Sequence, residues 1–181
     1  DQVTGLSVTQ MAVLTSTQLG ALTNTAIAAL SNRQIAALTT DQVNTLSTAK
    51  LNALTSIQMT YLELVDVAAL SSAGIAALAD AKLQSLTLKQ VGALTTQQVA
   101  SFNTATLRAL TTDQVPGLSN GALAILSDAS LAAFSGDQIK ALKTSQVAAL
   151  TTSQFSVITS TTLRALTTSQ IAAIELADLN V

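Results

Sequence analysis

Residues 108–115 read RALTTDQV and residues 164–171 read RALTTSQI; residues 36–43, 52–59 and 148–155 repeat the phrase as AALTTDQV, NALTSIQM and AALTTSQF. The spacing is strict. Leu6, Leu14, Leu22, Leu30 and Leu38 begin a series that recurs every eight residues to Leu166 and Ile174, broken only by Phe102, Phe134, Ile158 and Ile174 as apolar replacements. A second apolar series runs three residues before each of these, from Val3, Met11 and Leu19 to Ile171 and Leu179. From Ser7 to Ile174 the chain is 21 uninterrupted octads of the form [S/T]-T-x-Q-h-A-A-L, where h is aliphatic.

The period selects among folds. Apolar spacings of three and five average four, against 3.6 for an α-helix, so on one long helix the stripe would wind around the axis and no single partner could cover it. In a strand, positions three apart point to opposite faces, and Ala-Ala is poor strand material. Short helices explain each position. A Ser or Thr followed three residues later by Gln is a capping box, and the apolar residues before the cap and at the fourth helical position form a hydrophobic staple. The first position is Ser or Thr in 17 of the 21 octads, the exceptions being Glu63, Ala79, Asn103 and Lys143; the fourth is Gln in 12, and 11 octads carry both. All ten acids (Asp1, Asp41, Glu63, Asp66, Asp80, Asp113, Asp128, Asp137, Glu175 and Asp178) fall at positions one to four, where a helix N-terminus favours negative charge.

The expected fold is therefore all-α: an α-solenoid of very short capped helices, one per octad, over a single domain spanning residues 1–181. Leu, its partner h and the small Ala residues are expected to line a narrow continuous core. Two aliphatic side chains cannot offset the ordering of eight residues, so an octad folds only by stacking on its neighbours. Octads beginning at Ser47, Ala79, Asn103, Ser127 and Thr159 replace the Gln and use Leu at h; their separations of 32, 24, 24 and 32 residues predict three to four octads per superhelical turn. Octads run to both ends, so the array is expected to continue beyond one or both ends or to stack end to end.

Departures from the repeat are few. Pro116 and Gly117 sit late in TTDQVPGL, where proline removes an amide donor, and predict an opened or 3-10 final turn. Tyr61, Ile125 and Val157 stand where Ala is usual and are expected to mark roomier corners rather than binding spots. Position six carries Asn44, Asn52, Gln84, Arg108, Lys140 and Arg164, the one column varied enough to suggest a ligand-facing flank.

Composition excludes several functions. The chain has no Cys and no His, so the common general bases, nucleophile pairs and metal ligands are missing. We expect no enzyme activity, no catalytic residues, no cofactor and no metal; Glu63 with Asp66 reads as a cap and first-turn pair. A net charge of −2, with eight scattered basic residues, argues against nucleic acid. Polar residues interrupt every apolar run well short of the ~20 residues of a membrane-spanning helix, so no membrane insertion is expected.

Arrays of the LTTxQVAAL type, here from Leu6 to Ile174, resemble repeat segments of very large secreted or surface proteins of bacteria described as adhesin-like, RTX-toxin-like or haem-utilisation proteins. The resemblance implies an extracellular or cell-surface setting and a structural role, and transfers no binding residues. The expected function is a stalk, spacer or filament-forming segment with end-to-end self-association. The alternative is a solenoid scaffold that binds a peptide, glycan or surface, with ice binding by Thr-Thr rows ranked below both.

Overall fold

The computed structural model describes residues 2–174; Asp1, Glu175, Asp178 and Leu179, assigned above to first turns and to the second apolar series, lie outside the described residues. Among the described residues there are twenty α-helices of four to six residues, with 3-10 turns at Gln2–Gly5 and Val115–Gly117. There is one helical piece per octad, and the described chain is an α-solenoid.

Each octad folds by the same local chemistry. Leu86 (φ −62°, ψ 134°) and Thr87 (φ −69°, ψ 160°) are extended and turn the chain. The Thr87 hydroxyl then accepts from the Gln90 amide at 3.2 Å, while Gln90 Oε1 accepts from the Thr87 amide at 2.9 Å. The helix closes with the amide of Val91 on the Thr87 carbonyl, and ends when Leu94 donates to the Val91 carbonyl. No described residue adopts a positive φ, so these corners need no left-handed glycine of the kind that closes many helices. All eleven Ser/Thr–Gln boxes form; at Lys143, which has no oxygen to cap with, Gln146 still accepts from the Lys143 amide at 2.7 Å.

The two apolar series form one continuous core, with Met11, Leu19, Ile35, Val43, Met59 and Leu83 fully enclosed. The Ala columns do not line it as expected. Ala37, Ala53, Ala109 and Ala141 sit at its margin, partly covered, because helices only a turn and a half long turn two residues inward and leave the rest tangential. Tyr61 and Ile125, in the same column, are half exposed, so the extra bulk points outward and needs no roomier corner. Val157 is half-buried and borders a small void beside Leu131, Phe134 and Ile139.

Pro116 falls inside the 3-10 turn Val115–Gly117, as its missing amide requires. A side chain at Gly117 would meet the Leu88 carbonyl oxygen at 2.7 Å, so the coil below presses against bare backbone here.

Coils stack with an offset. Asn24–Ala28 packs on Thr48–Ala53, Thr40–Asn44 on Leu64–Ala69, and Leu64–Ala69 on Leu88–Ala93, each pair three octads apart. Side-chain bonds, described next, reach four octads back. One superhelical turn thus takes about three octads: each helix lies on the helix three octads back, and its glutamine crosses the corner to the helix before that one.

Candidate functional site

The feature that organises the molecule is the fourth octad position. A helix leaves its first amides and last carbonyls without partners. In this fold one side chain serves both ends of two different helices. Gln90 Oε1 accepts at the start of its own helix, and Gln90 Nε2 donates to the carbonyls of Met59 (2.8 Å) and Leu62 (2.9 Å), which end the helix of an octad four earlier. Gln114 does the same to Leu83 (2.8 Å) and Leu86 (2.7 Å), and Gln42 to Met11 (2.8 Å) and Leu14 (2.6 Å). Ten of the twelve position-four glutamines (34, 42, 58, 90, 98, 114, 138, 146, 154 and 170) are buried and bond to the carbonyls 31 and 28 residues back. Gln10 and Gln18 are exposed and make only cap bonds among the described residues, because no coil precedes them there.

Sequence reasoning assigned these glutamines to capping alone. One signal could have revealed the second role. A capping box accepts Glu as readily as Gln, yet no Glu stands at position four of any octad. Only an amide carries both the acceptor for the cap and the donor for two carbonyls.

Three octads that lack the Gln are tied forward by position six, and in one of them the position-four Thr106 hydroxyl also donates back to the Ala76 carbonyl at 3.4 Å. Asn52 donates to the Ala77 carbonyl (3.1 Å) and accepts from the Ala79 amide (2.8 Å); Gln84 donates to the Ala109 carbonyl (3.0 Å), and Arg108 Nε to the Ala133 carbonyl (3.0 Å). These are position-six residues, read from sequence as a ligand-facing column. In Asn52, Gln84 and Arg108 the polar ends are engaged by the next coil.

Octad 63–70 departs most. Its cap, Glu63, makes no side-chain cap bond, and its fourth residue is Asp66, 2% exposed. Asp66 Oδ1 accepts from the Thr40 hydroxyl at 3.2 Å, while Oδ2 is buried with no partner. Burial raises its pKa above the ordinary carboxylate value, against lowering by the Thr40 hydroxyl and the Glu63 amide, with the Glu63 carboxylate adding a smaller push upward. The sequence pair Glu63 and Asp66 stands at the cap and in the first turn as expected, but the Glu63 side chain makes no cap bond and Asp66 is buried rather than solvated.

The same octad borders an open groove of about 560 Å³, lined by Ala36, Thr60, Tyr61, Leu64, Val65 and Lys89 among others. Among the described residues, no three Asp or Glu come close enough to hold a metal, and no helix is long and apolar enough to cross a membrane.

A family model described as the ALTTAQ repeat matches residues 16–48, 59–96 and 120–152, more than half of the chain. The chain belongs to the ALTTAQ repeat family. The six letters of that description map onto octad positions seven, eight and one to four: the marginal Ala, the corner Leu, the cap and its neighbours, and the ladder Gln. An ALTTAQ repeat is thus a corner and a start, written around the residue that joins coil to coil. The comparison with curated proteins returns no match.

Proposed function

We propose that this ALTTAQ array is a length-setting structural segment, a stalk, spacer or filament piece of a bacterial surface or secreted protein. The observation that carries this reading is the glutamine ladder. It recurs along the solenoid at one spacing and ties coil to coil through backbone, so length grows by octads without a change of design. The ladder is open at both described ends. Gln10 and Gln18 present amide donors that make no carbonyl bond among the described residues. At the other end the last ladder bonds, from Gln170, stop at Ile139 and Leu142, and no described glutamine reaches the carbonyls of Leu150, Ile158 or Leu166. Further octads, or a second copy placed end to end, would extend the same ladder.

Electron microscopy of the purified chain across a concentration series tests the self-assembly part. We expect rods of constant width whose lengths are multiples of one particle. Short monodisperse particles at every concentration would remove end-to-end stacking. The surface setting is tested separately, by antibody labelling of intact against permeabilised cells that express the protein; labelling confined to permeabilised cells would contradict it.

A further inference from the structure

The outward-facing second and third octad positions are almost uniformly small or polar. Among the 21 full octads only Val8, Ile57, Leu64, Val65 and Leu88 place a large apolar residue there. Four of these five fall in the octads that begin at 55, 63 and 87, and the last two of those octads are directly stacked. They remain in water: Ile57 is 64% exposed, Leu64 45%, Val65 61% and Leu88 48%, with Tyr61 beside them at 45%. Tyr61 is the chain's single Tyr, and the three Phe (102, 134 and 155) are all buried. Of the exposed side chains, Tyr61, Leu64 and Val65 line the groove, and an outward aromatic beside exposed aliphatic side chains on an otherwise hydroxyl-rich surface marks an interaction site.

We propose that this face is a side-to-side interface between two copies of the chain, closed by Glu63 of each copy against Lys89 of the other. Two observations select a second copy as the occupant. The first is charge: Glu63 and Lys89 both edge the groove, one anion and one cation on adjacent coils, and no ion pair engages either among the described residues. A two-fold axis through the groove exchanges them, making the surface complementary to itself, as an isologous contact requires. The second is area. Tyr61, Leu64 and Val65, the exposed side chains that line the groove, leave roughly 300 Å² in water, so two copies bury on the order of 600 Å² before the rim of Thr60, Thr87, Glu63 and Lys89 is added. With that rim the contact has the size of a weak, transient pairing, below the about 1,200 Å² of stable interfaces, and belongs to the high end of the concentration range. Tyr61, rigid and amphipathic, is the natural anchor for each copy's groove. The contact is lateral and independent of the ends, so it would pair stalks or filaments side by side.

Sedimentation equilibrium of the whole chain, over micromolar to millimolar concentrations, tests it with four variants. Val65→Asp is expected to weaken association at least tenfold. Glu63→Lys and Lys89→Glu, each placing like charges across the axis, are expected to weaken it several-fold, and the double variant to return to within about threefold of the parent. All the substituted side chains are exposed, and unchanged helical circular dichroism verifies the fold of each. None of these residues lies at either end, so their effects are distinct from end-to-end stacking. A parent that stays monomeric, a Val65→Asp chain that associates as the parent does, or a double variant that fails to recover would each overturn the proposal.

Discussion

Octads 63–70 (ELVDVAAL) and 87–94 (TLKQVGAL) lie one on the other and share nearly everything. Both form six-residue helices, Leu64–Ala69 and Leu88–Ala93, and both bury a Val and a Leu, at 67 and 70 and at 91 and 94. They differ in the polar residues. Octad 87–94 is capped by Thr87 and tied to the coil beneath by Gln90; octad 63–70 has no hydroxyl cap, its Glu63 amide turned on the Asp66 carboxylate, and one buried oxygen of that carboxylate is unserved. The helix forms in both. The apolar series therefore suffices to place a helix, and position four decides how firmly its coil is held to the next.

Exchanging the two chemistries breaks the contrast. Gln90→Asp turns the stronger octad into the weaker: it forfeits two bonds to buried carbonyls and enters a carboxylate, and should cost about 2–4 kcal/mol in denaturant unfolding. The reverse change, Asp66→Gln, puts an amide 31 and 28 residues ahead of Ile35 and Leu38, the spacing used by every buried ladder glutamine, and should stabilise by about 1–2 kcal/mol. If it destabilises, octad 63–70 has a local geometry of its own and the stacking is not uniform.

Protonation sharpens the comparison further. Because burial raises the Asp66 pKa above its unfolded value, the folded chain holds that proton to higher pH than the unfolded chain does. Asp66 thus contributes stability that is full in acid and is lost as pH rises from the ordinary carboxylate range through the elevated one. Asp66→Asn should remove that part of the pH slope, whereas substituting exposed Asp113 should leave it in place. Restoring only the cap, by Glu63→Thr, is the smallest change expected, a gain of about 0.5–1 kcal/mol.

Much of this was legible in the eight-letter pattern. Leu110, Thr111, Gln114 and Val115 declare staple and cap, and Pro116 declares the opened turn, because each acts on backbone within a few residues. The ladder was not, since the carbonyls of Leu83 and Leu86 that Gln114 reaches are backbone groups of a distant coil and leave no mark in side-chain identity. The engagement of Asn52, Gln84 and Arg108 was hidden for the same reason, and half of a column that looked free is bound to the next coil. Octad count per turn fell in the predicted range, but the spacings of 24 and 32 residues pointed to alternatives where the structure uses both, one for helix packing and the other for the glutamine bond.

The central claim is that the repeated Gln is a joint between coils as well as a cap. Glutamate separates the two roles, since it caps as well as Gln but cannot donate from an ionised carboxylate. Urea unfolding at neutral pH of Gln90→Glu, buried, against Gln10→Glu, exposed at the first coil, is the direct test. The account predicts a loss of at least about 2 kcal/mol at position 90 and almost none at position 10. Equal, small effects at both positions would mean that the glutamine only caps, and that the apolar core alone holds the coils together.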